Sequence, residues 1–476
     1  MSDDQLIGPV LFLDDLSSER LHLAALFLAP PGTGIPPIET DGGHHPVEPF
    51  AEFGGLGFYR ARFSVSANHA SDYRWSGETF QVASGFDGDL RLAYVSCNGQ
   101  EKSDLERPRD QRNAMWQRLC DEHDRAPFSA LLHGGDQIYA DEITDGHLLT
   151  ENWPDDVPAD PDPAALADLE FHLAAQLVRR YRTLYAAGPY AYLSARIPSL
   201  AMWDDHDICD GWGSLDATTM GSAVGQCLFR TTRQATLLFQ NGCTDGDLPG
   251  RFLDRHGGHL GWAVGGHGLR IIAPDLRSER TRTRVMGPAG WADFRATASP
   301  APGQTFLMSS TPLLGPRLSL LETLMPVMPA RIHKYEDDLR DQWQSHAHRT
   351  EWREMLQAAT ALARPENAGV TVLSGEIHLA TRATLTAPDG VQVRQLVASG
   401  ISHPPPPRGF ARALGALAGL GSSPMKHHRI RIAPLPGRRR RYTAERNFMT
   451  LSRSAGTWQA RWHLEESGTT DALPLS

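Results

Sequence analysis

Side chains that can bind metal ions or transfer protons follow several apolar stretches of this 476-residue chain. They are Cys97; Asp136 with Tyr139; Asp204, Asp205 and His206; and Glu376 with His378. Each set follows a run of residues that predicts a buried strand, for example LRLAYVS before Cys97. Because open α/β sheets bind ligands at the carboxyl ends of their strands, we expect these sets to meet at one edge.

The residue types suit a pair of metal ions. A carboxylate such as Asp136 can bridge two cations that lie about 3.5–4 Å apart. Carboxylates and histidine bind divalent ions such as Ca²⁺, Mn²⁺ or Zn²⁺, whereas a thiolate and a phenolate together favour Fe³⁺, since both must lose a proton to bind. Two such ions lower the pKa of bound water and stabilise charge on a phosphoryl group. His206, outside the ligand set, could protonate the leaving oxygen or orient the phosphate.

Each of these residues also has a simpler explanation. Cys97 could be a small buried apolar residue, and Tyr139 a core aromatic with a satisfied hydroxyl. Asp205 could cap a helix, and His378 could be a hydrogen-bonded core histidine. Their joint occurrence at several strand ends favours a shared site.

Two arginines follow a further predicted strand, GLRIIAPDLR. Arg277 and Arg280 offer forked donors that match phosphate oxygens, which predicts substrate binding. Ion pairs with the neighbouring Asp275 or Glu279 are the alternative.

The elements that would position these residues alternate between strands and helices from Leu90 onward, which predicts an α/β layered domain. A helix is predicted over about 115–123 from apolar residues at helical spacing, another from Pro163 with Asp162 as its N-cap, and a third over 351–362. A β-hairpin is predicted over 447–466. Residues 1–85 form a predicted small β-rich, sandwich-like domain, and 86–466 the main domain, which includes the hairpin.

Composition narrows the class of protein. The hydrophobic content of 41% and charged content of 21% are ordinary for a globular protein. A formal net charge of −10 argues against general nucleic-acid binding. The run of arginines at 438–441 is the only dense basic run, and it predicts a solvated turn or an anion contact. Five widely spaced cysteines predict no disulfide framework.

The acidic N-terminus lacks a secretory signal and no apolar run could span a bilayer, so a cytoplasmic enzyme without membrane contact is expected.

The chain resembles the alkaline phosphatase D (PhoD-like) metallophosphatases, within the calcineurin-like phosphoesterases. The resemblance spans about residues 90–400 in the family's order. It is carried by Ser96-Cys97, GDQIY (135–139), WDDHD (203–207), DLR (275–277) through Arg280, and SGEIH (374–378).

The resemblance implies an αββα sandwich with a binuclear metal centre at the sheet edge. Cys97, Asp136 and Tyr139 would then hold Fe³⁺, and Asp136 would be shared with a second, divalent ion. Asp205 takes the place of the asparagine of the GNH motif, and His206 that of its catalytic histidine. Glu376 and His378 correspond to the ligands of the terminal GHxH motif, with glutamate at 376 where aspartate is usual. Asp204 is expected to contact substrate.

The predicted activity is metal-dependent hydrolysis of a small phosphorylated substrate, a monoester or a diester, by a metal-bound hydroxide. Two alternatives remain open at this stage. One is a catalytically idle relative that binds a phosphorylated ligand. The other is a binuclear hydrolase that acts on a different ester, such as a phosphonate or a sulfate.

Overall fold

The computed structural model describes residues 6–316 and 341–475. Its framework consists of two large sheets and one small sheet, with strands numbered in chain order. The larger sheet contains β1 (Ile7–Leu16), β2 (Arg20–Ala29), β5 (Glu48–Phe53), β6 (Leu56–Ser66), β9 (Leu90–Val95), β10 (Ala130–Gly134), β11 (Ser199–Met202), β19 (Asn447–Ser454), β20 (Thr457–Leu464), β21 (Gly468–Thr469) and β22 (Leu473–Pro474).

At the centre of this sheet the strand order is β9-β10-β11-β1, and these four strands are parallel. They are almost entirely apolar and buried on both faces, as parallel strands covered on both sides must be. The antiparallel β19–β20 hairpin extends the sheet beyond β9.

The second sheet contains β12 (Trp262–Gly266), β13 (Leu269–Ala273), β14 (Gly303–Ser309), β15 (Ala368–Ser374), β16 (Thr381–Thr386), β17 (Gln392–Val397) and β18 (Arg429–Ala433). Its parallel core has the order β13-β14-β15-β17. Buried tryptophans connect the two large sheets. The indole of Trp262 donates to the Ala201 carbonyl at 2.7 Å, and that of Trp462 to the Val397 carbonyl at 2.8 Å. The sheets therefore pack face to face.

The described helices are α1 (Arg109–Arg125), α2 (Pro163–Tyr185), α3 (Gly188–Ser194), α4 (Ala217–Gly221), α5 (Ala223–Ala235), α6 (Pro288–Thr297), α7 (Arg349–Leu362) and α8 (Arg408–Ala418). Helices α1, α2 and α3 contact strands of the larger sheet, and α7 contacts β15 and β17 of the second. Helices thus cover the outside of both sheets, which gives the predicted α/β sandwich its outer layers. No helix in the described ranges is both long and apolar enough to cross a bilayer.

The helices predicted over about 115–123, from Pro163 and over 351–362 are confirmed, as is the hairpin over 447–466. The prediction for Asp162 was wrong in one respect, because its side chain makes no capping hydrogen bond. All five cysteines are buried and free, so the absence of a disulfide framework is confirmed.

The N-terminal segment is joined to the rest of the chain by backbone hydrogen bonds. Strand β1 pairs in parallel with β11, so β1, β2, β5 and β6 continue the larger sheet. Only β3 (Ile38–Thr40), β4 (Gly43–His45), β7 (Ser71–Trp75) and β8 (Glu78–Val82) form a separate small sheet. The domain limits at residues 85 and 466 stay a prediction, but pairing in the larger sheet continues across residue 85.

Candidate active site

The candidate site lies where the carboxyl ends of the parallel strands in the two large sheets meet. Gly375, directly after β15, lies so close to the chain after β9 that a Cβ there would be 2.3 Å from the Ser96 hydroxyl. Its amide donates to the Ser310 carbonyl after β14 at 2.9 Å. Glycine is needed at 375 because no side chain fits between the strand ends. This contact brings residues from both sheets into one cluster.

Four candidate ligands lie in sharply bent backbone at these strand ends. Cys97, Asp136, Glu376 and His378 have φ values of 56°, 55°, 62° and 51°. Left-handed backbone is unusual for residues other than glycine, and such conformations concentrate at functional sites. The bends turn the chain as it leaves each strand and direct these side chains toward one another.

Cys97, Asp136, Tyr139 and His378 form a first ligand cluster. The Cys97 thiol lies 3.4 Å from Asp136 Oδ2, and the Tyr139 hydroxyl lies 2.8 Å from His378 Nε2. Ligand atoms of Cys97, Asp136 and His378 all lie within 4.8 Å of one another. A thiol, a carboxylate, a phenol and an imidazole therefore surround one position.

Asp136, Asp204 and Asp205 form a second cluster that shares Asp136 with the first, again with ligand atoms within 4.8 Å. Asp136 Oδ1 and Asp204 Oδ2 are buried and accept no hydrogen bond from the described residues, whereas Asp205 Oδ1 lies 3.3 Å from the Arg277 guanidinium. Buried carboxylate oxygens without donors are costly, and a cation would satisfy them. The donor set therefore fits two metal ions that share the Asp136 carboxylate.

The electrostatics of the site support the same conclusion. Burial raises the pKa of Asp136 well above its ordinary range, and the Asp204 charge raises it further. Burial also raises the pKa of Asp204 to about 6. It raises the pKa values of the Cys97 thiol, the Tyr139 phenol and the Glu376 carboxyl. These groups resist ionisation without a counter-charge, and a metal ion would supply that charge.

His206 lies beside the two clusters and is held by a carboxylate from another loop. Its Nδ1 lies 3.0 Å from both Asp141 oxygens, and its ring lies 4.2 Å from that of Tyr139. Burial opposes protonation of His206, but the Asp141 and Asp205 charges raise its pKa well above the ordinary value. The imidazole is thus oriented and favoured as a cation, as a general acid requires.

Asp207 fastens the loop after β10 to the loop after β11. Its carboxylate accepts hydrogen bonds from the backbone amides of Asp136, Gln137 and Asp204 at 2.9–3.0 Å. It accepts a further bond from the Gln240 amide at 2.9 Å. Asp207 therefore positions the two loops that carry most of the candidate ligands, a role that sequence reasoning did not assign to it.

Arg277 and Arg280 lie behind the carboxylates and are 0% and 4% exposed. Arg277 pairs with Asp204, with Asp205 at 3.3 Å, and with Asp341 at 2.6 Å. Arg280 pairs with Asp341 at 2.9 Å. Asp275, one of the two alternative partners, forms no ion pair with these arginines, because its carboxylate accepts from Trp203, Ser278 and backbone amides. In this arrangement Arg277 positions Asp204 and Asp205.

Glu376 and His378, from the same loop, face different neighbours. Both Glu376 oxygens accept from the Gln342 amide, at 2.6 and 2.7 Å. The His378 ring stacks on His403 at 3.4 Å between centroids, and its backbone amide donates to the Ser399 hydroxyl at 2.9 Å. His378 thus belongs to the cluster of Cys97 and Asp136, whereas Glu376 lies nearer to Asp204 and Asp341, whose charges raise its pKa.

The structure brings all ten sequence-predicted site residues into one region and adds partners that were not predicted. Asp207 is the last residue of WDDHD and Asp141 lies two residues after GDQIY, so their carboxylates could have been proposed from these positions. Asp341, Gln342 and His403 are distant from every motif in sequence, and no local pattern marks them. Only their positions in the fold connect them to the site.

Comparisons with known proteins agree with this geometry. The model of the PhoD related phosphatase family matches residues 56–335. An uncharacterized protein of Saccharomyces cerevisiae is 23% identical over an alignment of 364 residues, which covers 62% of this chain and 50% of that protein. The chain therefore spans about half the length of this curated relative.

Solved structures confirm the predicted metallophosphatase fold. A structure of PhoD superposes with a TM-score of 0.57 at 11% identity, over 98% of this chain and 88% of that chain. A purple acid phosphatase from seeds of yellow lupin (Lupinus luteus) gives 0.55 at 9% identity, over 99% and 74% of the respective chains. The family match covers more than half of the chain, and these folds agree with it; the chain belongs to the PhoD related phosphatases.

Proposed function

We propose that this chain hydrolyses phosphoric esters with two metal ions bound between its sheets. The observation that supports this most strongly is the pair of buried ligand clusters that share Asp136. An apolar core or a simple ligand-binding pocket would not leave two neighbouring buried carboxylate oxygens, Asp136 Oδ1 and Asp204 Oδ2, without donors among the described residues. The completeness of the ligand set also favours a hydrolase over an idle binding relative.

In this proposal each ion has its own ligands. Cys97, Asp136, Tyr139 and His378 would hold Fe³⁺, since thiolate and phenolate both prefer a strongly Lewis-acidic ion. Asp136, Asp204 and Asp205, with Glu376 nearby, would hold Ca²⁺, Mn²⁺ or Zn²⁺. When bound, such ions lower the pKa of the attacking water and stabilise the charge that develops on the phosphoryl group.

The remaining chemistry belongs to the chain's own side chains. His206, oriented by Asp141, would donate a proton to the leaving oxygen or hold a phosphate oxygen. Arg277 and Asp341 would keep Asp204 and Asp205 in place as the charge of the site changes. Arg280 would act through Asp341 rather than as a direct substrate contact.

The first test is elemental analysis and the visible spectrum of the purified chain, followed by a panel of phosphate mono- and diesters. Iron with a broad visible band is expected from a Tyr139 phenolate on Fe³⁺, and Tyr139→Phe should remove the band. A colourless, active protein that contains zinc or manganese would contradict the assignment of Fe³⁺ but not the proposed hydrolysis. Protein that binds no metal and hydrolyses nothing in the panel would leave the idle binding relative as the better account.

Asp136→Asn is the most informative variant, because Asp136 belongs to both ligand clusters. We expect the loss of both metals and a fall in turnover of about 10³-fold or more, since the shared charge is removed. The matched control is Asp145→Asn, an exposed aspartate on a nearby loop. Full metal content in Asp136→Asn would refute the shared-ligand arrangement.

A further inference from the structure

A large basic cavity lies between α1 and α2, apart from the candidate metal site. Its volume is about 1270 Å³, and it is open to solvent along one side. Among the lining residues that the structure describes, six are arginines and two are aspartates. This excess of positive charge stands out in a chain whose net charge is −10. The cavity is large enough for a ligand of nucleotide size.

Several of these arginines lack partners. The guanidinium groups of Arg109 and Arg179 form no ion pair or hydrogen bond with residues 6–316 or 341–475, and both side chains are exposed. Arg112 Nε is buried and has no acceptor among the same residues. Burial lowers the pKa of Arg112, the Asp104 charge raises it, and the charges of Arg107 and Arg109 lower it; the net shift is downward, so an anion here would stabilise its charge.

The opposing acids do not neutralise the cavity. Asp104 is buried and paired with Arg107, with Oδ1 3.1 Å from the Arg107 Nε. The remaining acid of the lining, Asp110, is exposed at the start of α1. Arg180 is paired with Glu142 at 2.7 Å and serves as part of the wall. Among the described residues, Arg109 and Arg179 are therefore left without an ion pair, and Arg112 has only the charge of Asp104, which is itself paired with Arg107.

The shape and lining indicate the chemistry of the ligand. Arg109 and Arg112 lie three residues apart on α1, and Arg179 faces the same cavity from α2. Forked guanidinium donors on two walls match the several oxygens of a polyphosphate. Leu56, Ile138 and Val178 add apolar surface to the same cavity, against which the body of a larger ligand could lie.

The cavity shares its wall with the metal site. Asn98, Ile138 and Ser402 line the cavity, whereas their immediate neighbours Cys97, Tyr139 and His403 lie in or against the first ligand cluster. None of the candidate metal ligands belongs to the described lining. A ligand here would therefore contact the loops that hold the metal site without entering that site.

We propose that this cavity binds a small polyphosphorylated anion at a position distinct from the metal centre. Calorimetric titration of the full metal-loaded chain with tripolyphosphate and with ATP tests this directly. Binding should weaken about tenfold or more in Arg109→Gln/Arg179→Gln, because charged hydrogen bonds to phosphate are lost. Both residues are exposed and unpartnered in the described ranges, so this variant should fold normally. Arg230→Gln/Arg412→Gln removes two other exposed arginines and should bind as the wild type does.

The Asp136→Asn variant separates this proposal from the proposed hydrolase function. Retained anion binding in Asp136→Asn, with loss in the arginine double variant, would support the cavity even if the chain proved inactive on every ester. Tighter binding of ATP than of tripolyphosphate would identify a nucleotide as the source of the phosphates, and equal binding a free polyphosphate. Loss of binding in Asp136→Asn with retention in the arginine variant would overturn the proposal, as would the absence of binding to the wild type.

Discussion

The His206 imidazole and the Asp141 carboxylate meet although 65 residues separate them in the chain. The Asp141 carboxylate has a second partner, because it also accepts a hydrogen bond from the Asp210 backbone amide at 2.7 Å. A single side chain thus sets both the orientation of the imidazole and the course of the loop beyond it. At the residue scale, the proposed chemistry depends on such neighbours as much as on the ligands.

Asp141→Asn tests this positioning role. We expect kcat to fall about 10- to 100-fold with metal content unchanged, because His206 loses the charge that orients it and favours its protonated form. Asp141→Glu should recover part of the activity. Kinetics and elemental analysis on the same preparations give both readouts, and loss of metal in Asp141→Asn would show a role in ligation instead.

At the scale of elements, the site depends on how closely strand ends of different sheets approach. Asp207 holds the loops after β10 and β11 together, and Gly375 allows the loop after β15 to pack against the one after β9. Each strand end supplies only one or two ligands. The site is therefore formed by the packing of the sheets, and small changes at their contact should affect metal binding.

Gly375→Ala should test that dependence. A Cβ at 375 would overlap Ser96 and lie 3.3 Å from the Gly134 carbonyl, so we expect a loss of about 1–3 kcal/mol in stability. Metal affinity should fall as well, because Ser96 precedes Cys97. Gly409→Ala, where a Cβ meets nothing within 4 Å, is the control. Unchanged unfolding and metal stoichiometry in Gly375→Ala would show that the strand ends tolerate displacement.

At the scale of the whole molecule, the N-terminal strands are part of the framework of the site. β1 lies between β11 and β2, and β11 leads directly into Asp204 and Asp205. Buried side chains on these strands, such as Phe12 and Phe27, belong to the main hydrophobic core. Residues 1–85 therefore contribute to the support of the site.

Deletion of residues 1–85 should consequently prevent folding of the remainder. Removal of β1 and β2 would expose the edge of β11 and the apolar surface that these strands cover. Soluble expression and circular dichroism would measure the effect. A folded, metal-binding fragment of residues 86–476 would instead establish the predicted boundary near residue 85 as a true domain limit.

Buried neutral histidines predict how stability depends on pH. Burial lowers the pKa values of His123 and His463 to about 4 and that of His133 to about 3. The unfolded chain binds protons as the pH falls through about 6.5, while these folded histidines stay neutral. The three neutral histidines therefore contribute fully to the free energy of unfolding above pH 6.5. As the pH falls from 6.5 to 4, that contribution decreases by about 1.4 kcal/mol per histidine per pH unit.

Urea unfolding at several pH values would measure that slope. His123→Asn should reduce it, because one proton fewer is taken up on unfolding, while the acceptor for the Phe128 amide can be kept. The asparagine side chain can thus take over the hydrogen bond that His123 accepts from the Phe128 amide. An identical slope in the variant would exclude His123 as a contributor.

The sequence by itself determined the strand–helix alternation, the positions of the candidate ligands after the strands, and the family. These features are local, because side-chain burial and backbone preference act over a few residues and leave periodic patterns. It could not show that Arg277 pairs with Asp341, that Asp141 holds His206, or that β1 joins β11. Nor could it reveal the basic cavity between α1 and α2. Those contacts join residues far apart in the chain, and only the packing of the two sheets and their helices brings them together.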